Sequence, residues 1–139
     1  MTFVLHNSVA LAWCFQDEQT PEILTLLDRV AESGAIAPLL WPLEALNALL
    51  VAERRRRLTA EQRITLASLL QDLPITLDDE TATRAWAPTA ALAERFALSA
   101  YDAAYLELAH RRRLPLATLD RPLRTAAETL GLPLLPPNP

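Results

Sequence analysis

Glu44, Asp102 and Asp120 each fall in or just before the opening turn of an expected helix, and His6 directly follows an expected first strand. A small hard cation such as Mg²⁺ takes oxygen ligands, keeps several waters and uses a few carboxylates rather than a full protein cage. Held by such a group, the ion can deprotonate a water and stabilise the leaving oxygen of a phosphodiester. Carboxylates crowded together repel one another without a cation, so the metal would also hold the cluster together. Each acid has a purely structural role as well. Ser99-x-x-Asp102 is a capping box, Asp120 suits the N-cap of a helix opening at Pro122, and Glu44 is favoured by a helix dipole. Their joint placement at one edge is what turns the set toward chemistry.

That placement depends on the elements around them. Residues 2–5 are apolar and β-rich, as in a strand buried on both faces. A short helix is expected over residues 8–15, and Thr20-Pro21-Glu22 reads as N-cap, first-turn proline and acidic first turn. The helix it opens carries Ile23, Leu26, Leu27 and Val30 on one face and stops at Gly34. A second strand over 35–37 leads to a helix over 42–57. Thr59 and Gln62 form a capping box for the next helix. Residues 73–77 suggest a strand near a sheet edge because Pro74 interrupts it. Residues 79–97 read as helical with a kink at Pro88, and Ser99 opens a helix that ends in Arg111 to Arg113. A strand over 116–119, a helix over 122–130 and a last strand over 132–135 complete the chain. Strands alternating with helices imply βα units and a parallel sheet covered on both faces. In such a sheet, ligands bind beyond the carboxyl ends of the strands. His6, Glu44 and Asp120 follow the first, second and fourth strands there, and Asp102 lies one turn into its helix.

The totals fit one domain. The chain has 139 residues, 51% of them hydrophobic, and a net charge of −4, which excludes bulk electrostatic attraction to nucleic acid. All 13 basic residues are arginine, whose planar fork suits phosphate contact. Arg54 to Arg57 and Arg111 to Arg113 close helices, where the dipole favours cations, and some of them are candidates to hold RNA phosphates. His110 belongs to the same dipole-favoured end. The lone Cys14 forms no internal disulfide, no apolar run spans a membrane, and the opening residues lack the features of a signal peptide. A cytoplasmic location is expected. Trp13, Phe15, Trp41 and Trp86 read as core, with Leu11, Trp13 and Phe15 as an alternative interaction surface.

Four segments in order carry a family resemblance. They are Val4-Leu5-His6-Asn7-Ser8-Val9-Ala10-Leu11-Ala12-Trp13, Pro42-Leu43-Glu44-Ala45-Leu46-Asn47, Leu98-Ser99-Ala100-Tyr101-Asp102-Ala103-Ala104-Tyr105 and Leu116-Ala117-Thr118-Leu119-Asp120. Together they resemble the PIN domain, and within it the VapC-type toxins of bacterial toxin–antitoxin pairs. The resemblance spans nearly the whole chain. It implies a PIN-like three-layer α/β fold over residues 1–135, with a central, mainly parallel sheet flanked by helices and a short extended tail over 136–139. It implies a toxin that is a divalent-metal-dependent endoribonuclease using Mg²⁺, with Mn²⁺ as an alternative. Glu44, Asp102, Asp120 and, by position, His6 would be its metal-site and catalytic residues, and Ser8 and Thr118 would orient carboxylates or waters behind them. Expected partners are RNA substrate, a second copy in a homodimer, and a cognate VapB-like antitoxin whose tail lies in an apolar groove.

One position departs from the pattern. Where the family has its first catalytic aspartate, this chain has His6. Imidazole prefers zinc and other transition ions to Mg²⁺, and the exchange removes one negative charge from the cluster. The expectation is therefore an impaired nuclease, with activity on Mn²⁺ or another borderline ion and a histidine acquired during cloning as alternatives. From a different functional class, a non-catalytic PIN-like module that dimerises and engages an antitoxin fits the same residues. A phosphoacceptor domain does not, because it needs a lysine and the chain has none.

Overall fold

Val4–Leu5 (β1) is the hub of the molecule, fully buried and paired on both sides. The computed structural model describes residues 2–139. After β1 come α1 (Asn7–Cys14), α2 (Pro21–Ser33), β2 (Ala35–Pro38), α3 (Trp41–Arg54), α4 (Ala60–Asp72) and β3 (Ile75–Asp78). Next is α5 (Thr81–Arg84), joined through a π-helical turn at Ala85–Thr89 to α6 (Ala90–Phe96). The chain closes with α7 (Ala100–Arg112), β4 (Leu116–Ala117), α8 (Arg121–Thr129) and β5 (Leu134–Leu135). The sheet order is β3-β2-β1-β4-β5, and all four pairings are parallel.

Parallel neighbours need right-handed crossovers, so the direction of travel decides which face each helix covers. From β1 the chain steps toward β2 and β3, then jumps to β4 and β5 on the other side. Helices α1 to α4 therefore cover one face and α5 to α8 the other, and contacts such as α1 with α3 and α7 with α8 follow that division. This is the expected three-layer α/β arrangement. The reversal of direction between β1 and β4 makes their carboxyl ends the topological switch point, where helices diverge and leave a crevice.

Local chemistry explains the boundaries. The Thr20 hydroxyl accepts from the Ile23 amide at 3.2 Å to open α2, and Thr59 and Gln62 make the expected reciprocal cap on α4. Gly34 ends α2 at φ +78°, and a Cβ there would lie 2.9 Å from the Pro74 carbonyl oxygen. Only glycine combines that backbone with that approach. The strand expected over 116–119 is shorter, because the Leu119 and Asp120 amides go to the side chains of Ser8 and Thr118 instead of a ladder. The last strand is likewise confined to Leu134–Leu135. Pro88 has no amide hydrogen to give, and the helix passes it through the π-helical turn. β3 lies at the sheet edge, as Pro74 implied. Trp13, Phe15 and Trp41 are buried, but Trp86 is 92% exposed on the π-helical turn and is no part of the core.

Candidate active site at the carboxyl edge of the sheet

The first residue beyond β1 is His6, which is 6% exposed. Its backbone amide still follows the sheet, donating to the Ala117 carbonyl at 2.9 Å. Its ring caps α1 by accepting from the Ser8 amide at 3.3 Å on Nδ1. The Ser8 and Thr118 hydroxyls also lie 2.8 and 3.0 Å from Nδ1. Each hydroxyl already accepts a backbone amide, Leu119 N at 2.9 Å on Ser8 and Asp120 N at 3.1 Å on Thr118. Their own hydrogens are thereby left for other acceptors. Nδ1 of the neutral ring is thus an acceptor, and the ring proton sits on Nε2. Nε2 lies 2.9 Å from Asp102 Oδ1 and donates to it.

Asp102 is in the first turn of α7, and its own amide donates to the Ser99 hydroxyl at 3.1 Å. One turn on, the Tyr105 ring packs edge-on against the His6 ring, with centroids 4.7 Å apart. The Tyr105 hydroxyl donates to Glu44 Oε1 at 2.6 Å. Burial, reinforced by the Glu44 and Asp102 carboxylates, pushes the Tyr105 phenol far above its ordinary range and keeps it a donor. Glu44 itself lies in the first turn of α3. Asp120 is the N-cap of α8, accepting from the Leu123 amide at 3.0 Å.

The expected residues therefore reach the expected edge, but they do not form a cage. Each carboxylate has a donor from the protein: Tyr105 for Glu44, His6 for Asp102, and the start of α8 for Asp120. No three of His6, Glu44, Asp102 and Asp120 bring one ligand atom each within 4.8 Å of one another. Ser8 and Thr118 serve the imidazole and the backbone of the β4–α8 turn rather than a carboxylate. Asn7 is buried beside the site with its amide oxygen unpartnered. As arranged, the donors do not fit Mg²⁺, which needs several oxygens converging at about 2.1 Å. The imidazole N–H stands against Asp102 and occupies one of its oxygens.

Tyr105 is the site residue that sequence reasoning passed over. Its i+3 spacing from Asp102 places both on one face of α7, which is the signal that would have found it. A second charged cluster was also not anticipated. Asp78, Asp79 and Glu80 bring ligand atoms within 4.8 Å of one another at the end of β3. Arg111 already serves as the cation there, donating to Asp78 at 2.5 Å, Glu80 at 3.0 Å and Glu107 at 2.8 Å. Arg84 donates to the same Glu107 at 2.8 Å.

This network corrects part of the arginine reading. Arg111 is committed to buried acids, and Arg57 pairs with Asp17 and Glu18 while lying over the Phe15 ring. Both arginine runs also close helices that begin at the site. At 1.5 Å per residue they lie roughly 14–15 Å along the axis from Asp102 and Glu44. Beside Glu44, an apolar groove of about 390 Å³ runs between α3, α4 and β3, lined by residues including Trp41, Leu46, Leu49, Leu70 and Leu77. The buried Trp41 Nε1 has no hydrogen-bond partner. Among the described residues, no helix is long and apolar enough to cross a membrane.

No family model matches the chain, and no curated protein does. Among solved structures, the fold is similar to the crystal structure of PAE2754 from Pyrobaculum aerophilum, with a TM-score of 0.63 over 91% of this chain and 84% of that one. The two are 19% identical, so the likeness bears on the fold.

Proposed function

We propose that this chain is the toxin of a toxin–antitoxin pair, built on the PIN-like plan of a metal-dependent endoribonuclease, and that His6 holds its metal site shut. The observation that carries the reading is the 2.9 Å bond from His6 Nε2 to Asp102 at the switch point of a parallel sheet, with Glu44 and Asp120 at the same edge. A divalent ion in such a site would activate water against an RNA phosphodiester. In this chain the imidazole takes over the task of satisfying Asp102, and Tyr105 satisfies Glu44. Each acid has its own protein donor and no three of the site groups converge, so the arrangement does not depend on a cation. RNA cleavage is accordingly weak or absent until His6 is replaced. The groove beside Glu44 is the surface suited to an antitoxin's apolar tail, and a homodimer is expected on the same resemblance.

The internal pairing of all three acids favours a second reading, a non-catalytic module that keeps the fold and engages an antitoxin without cutting. Cleavage of structured RNA, in Mg²⁺ and separately in Mn²⁺, separates the two. The proteins compared are the chain itself, His6→Asp, and His6→Asp with Asp102→Ala. Cutting by His6→Asp that is lost with Asp102→Ala supports the closed nuclease. Absence of cutting by all three transfers the reading to the binding module.

A further inference from the structure

An RNA substrate needs positive charge and stacking surface near the acids, and the two arginine runs are too distant to supply either. Two exposed residues adjoin the site instead. Tyr101, immediately before Asp102, is 65% exposed. Arg121, immediately after Asp120, is exposed and makes no ion pair or hydrogen bond among the described residues. The elements between them are locked together. Asp102 bonds to His6, the His6 ring bonds to Thr118, and Thr118 Oγ1 accepts from the Asp120 amide. Tyr101 and Arg121 are thus the chain neighbours of the two acids that His6 and Thr118 tie together.

Neither residue is explained by stability. A phenol ring left largely in water forgoes the burial that rewards aromatic side chains. A cation at the first position of α8 sits at the positive end of the helix dipole, where it is disfavoured. The other arginines near this edge are engaged: Arg84 with Glu107, Arg95 over the Phe96 ring, and Arg124 with the carbonyls of Thr118, Pro136 and Pro137. Arg121 alone among these four has its guanidinium uncommitted.

We infer that Tyr101 and Arg121 form a metal-independent clamp for single-stranded RNA, with Tyr101 stacking on a base and Arg121 bonding a neighbouring backbone phosphate. The inference rests on the RNA-directed reading above and extends it to how the substrate is held. An aromatic face takes any base, and a planar guanidinium takes two phosphate oxygens at once. The clamp works with His6 in place, so the chain grips RNA that it cuts weakly or not at all.

The test is anisotropy of a short fluorescein-labelled single-stranded RNA of mixed sequence, titrated with the full chain in chelator. A second oligonucleotide carries 2-aminopurine, whose fluorescence reports stacking. Tyr101→Ala is expected to weaken binding about tenfold and to abolish the 2-aminopurine quench, whereas Tyr101→Phe retains both. Arg121→Gln is expected to lower the slope of log affinity against log salt by about 0.7, the value for one phosphate contact on a single strand. Arg112→Ala, at the far end of α7, is the control and should match the parent. RNA binding by the parent that neither variant changes would overturn the clamp and leave the RNA-directed reading standing. Failure of both the parent and His6→Asp to bind RNA would overturn the two together. Unchanged RNA affinity with lost self-association would overturn the clamp and assign the pair to a protein interface.

Discussion

Replacing His6 by aspartate should exchange a metal-free site for a metal-requiring one, and stability reports it without any enzymatic assay. The substitution removes the Nε2 hydrogen bond to Asp102 at 2.9 Å and the edge-on packing against Tyr105. A hydrogen bond to a charged group contributes roughly 1.5–3 kcal/mol. It also sets a second carboxylate beside Asp102, whose side chain is only 28% exposed. Two like charges at about 4 Å repel by up to about 4 kcal/mol at an effective dielectric near 20. Relaxation and residual solvent reduce the sum, and we expect His6→Asp to lose about 3–5 kcal/mol in chelator. For a domain of this size that is a fall of roughly 10–20 °C in Tm. Mg²⁺ at about a hundredfold its Kd should return about 2.7 kcal/mol to the variant, because the ion binds the folded state. The parent should melt at the same temperature in Mg²⁺ and in chelator. Differential scanning calorimetry of both proteins under both conditions reads all four values. Equal Tm for parent and variant in chelator, or an equal Mg²⁺-dependent rise in both, would refute the argument that the imidazole stands in the cation's place.

Two further predictions concern parts of the molecule away from the acids. Arg111→Ala should destabilise the fold by about 3–5 kcal/mol in urea melts, because it strips the buried Asp78 of its cation and leaves the buried Glu107 with Arg84 alone, whereas Arg112→Ala should stay within about 0.5 kcal/mol. Burial, with Glu18 nearby, raises the Cys14 thiol from 9.0 to about 11. The folded state therefore holds that proton more tightly than the unfolded chain, so its stability contribution is complete below pH 9 and is lost as pH rises through 11. Iodoacetamide should label Cys14 about a hundredfold more slowly at pH 8 in the native protein than in urea, and equal rates would show the thiol to be accessible and ionised.

The fold class was legible because its signals are local. Thr20 with Pro21, the Thr59 and Gln62 pair, and Gly34 after α2 all depend on chain neighbours, and the structure uses each as expected. The alternation of strands and helices then leaves few topologies, since parallel crossovers share one hand. Trp86 misled because an aromatic residue is apolar by type, while its exposure was decided by which side of the π-helical turn met the core.

The candidate site divides in the same way. From the chain alone came the identity of its residues and the edge they share: His6 after β1, Glu44 at the head of α3, Asp102 at the head of α7 and Asp120 at the head of α8. What each of them bonds to was decided only by tertiary structure. Asp102 and His6 are 96 positions apart, and Glu44 and Tyr105 are 61 apart. Sequence spacing carries no information about such pairs until the sheet order brings β1 beside β4 and α7 across them. The same holds for Arg111, which reads as a surface charge at a helix end and becomes the counter-ion of three acids through its distance from Asp78 on β3. Local preferences follow from covalent neighbours, whereas the partner of a buried charge is whatever the packed layers set within a few ångströms of it.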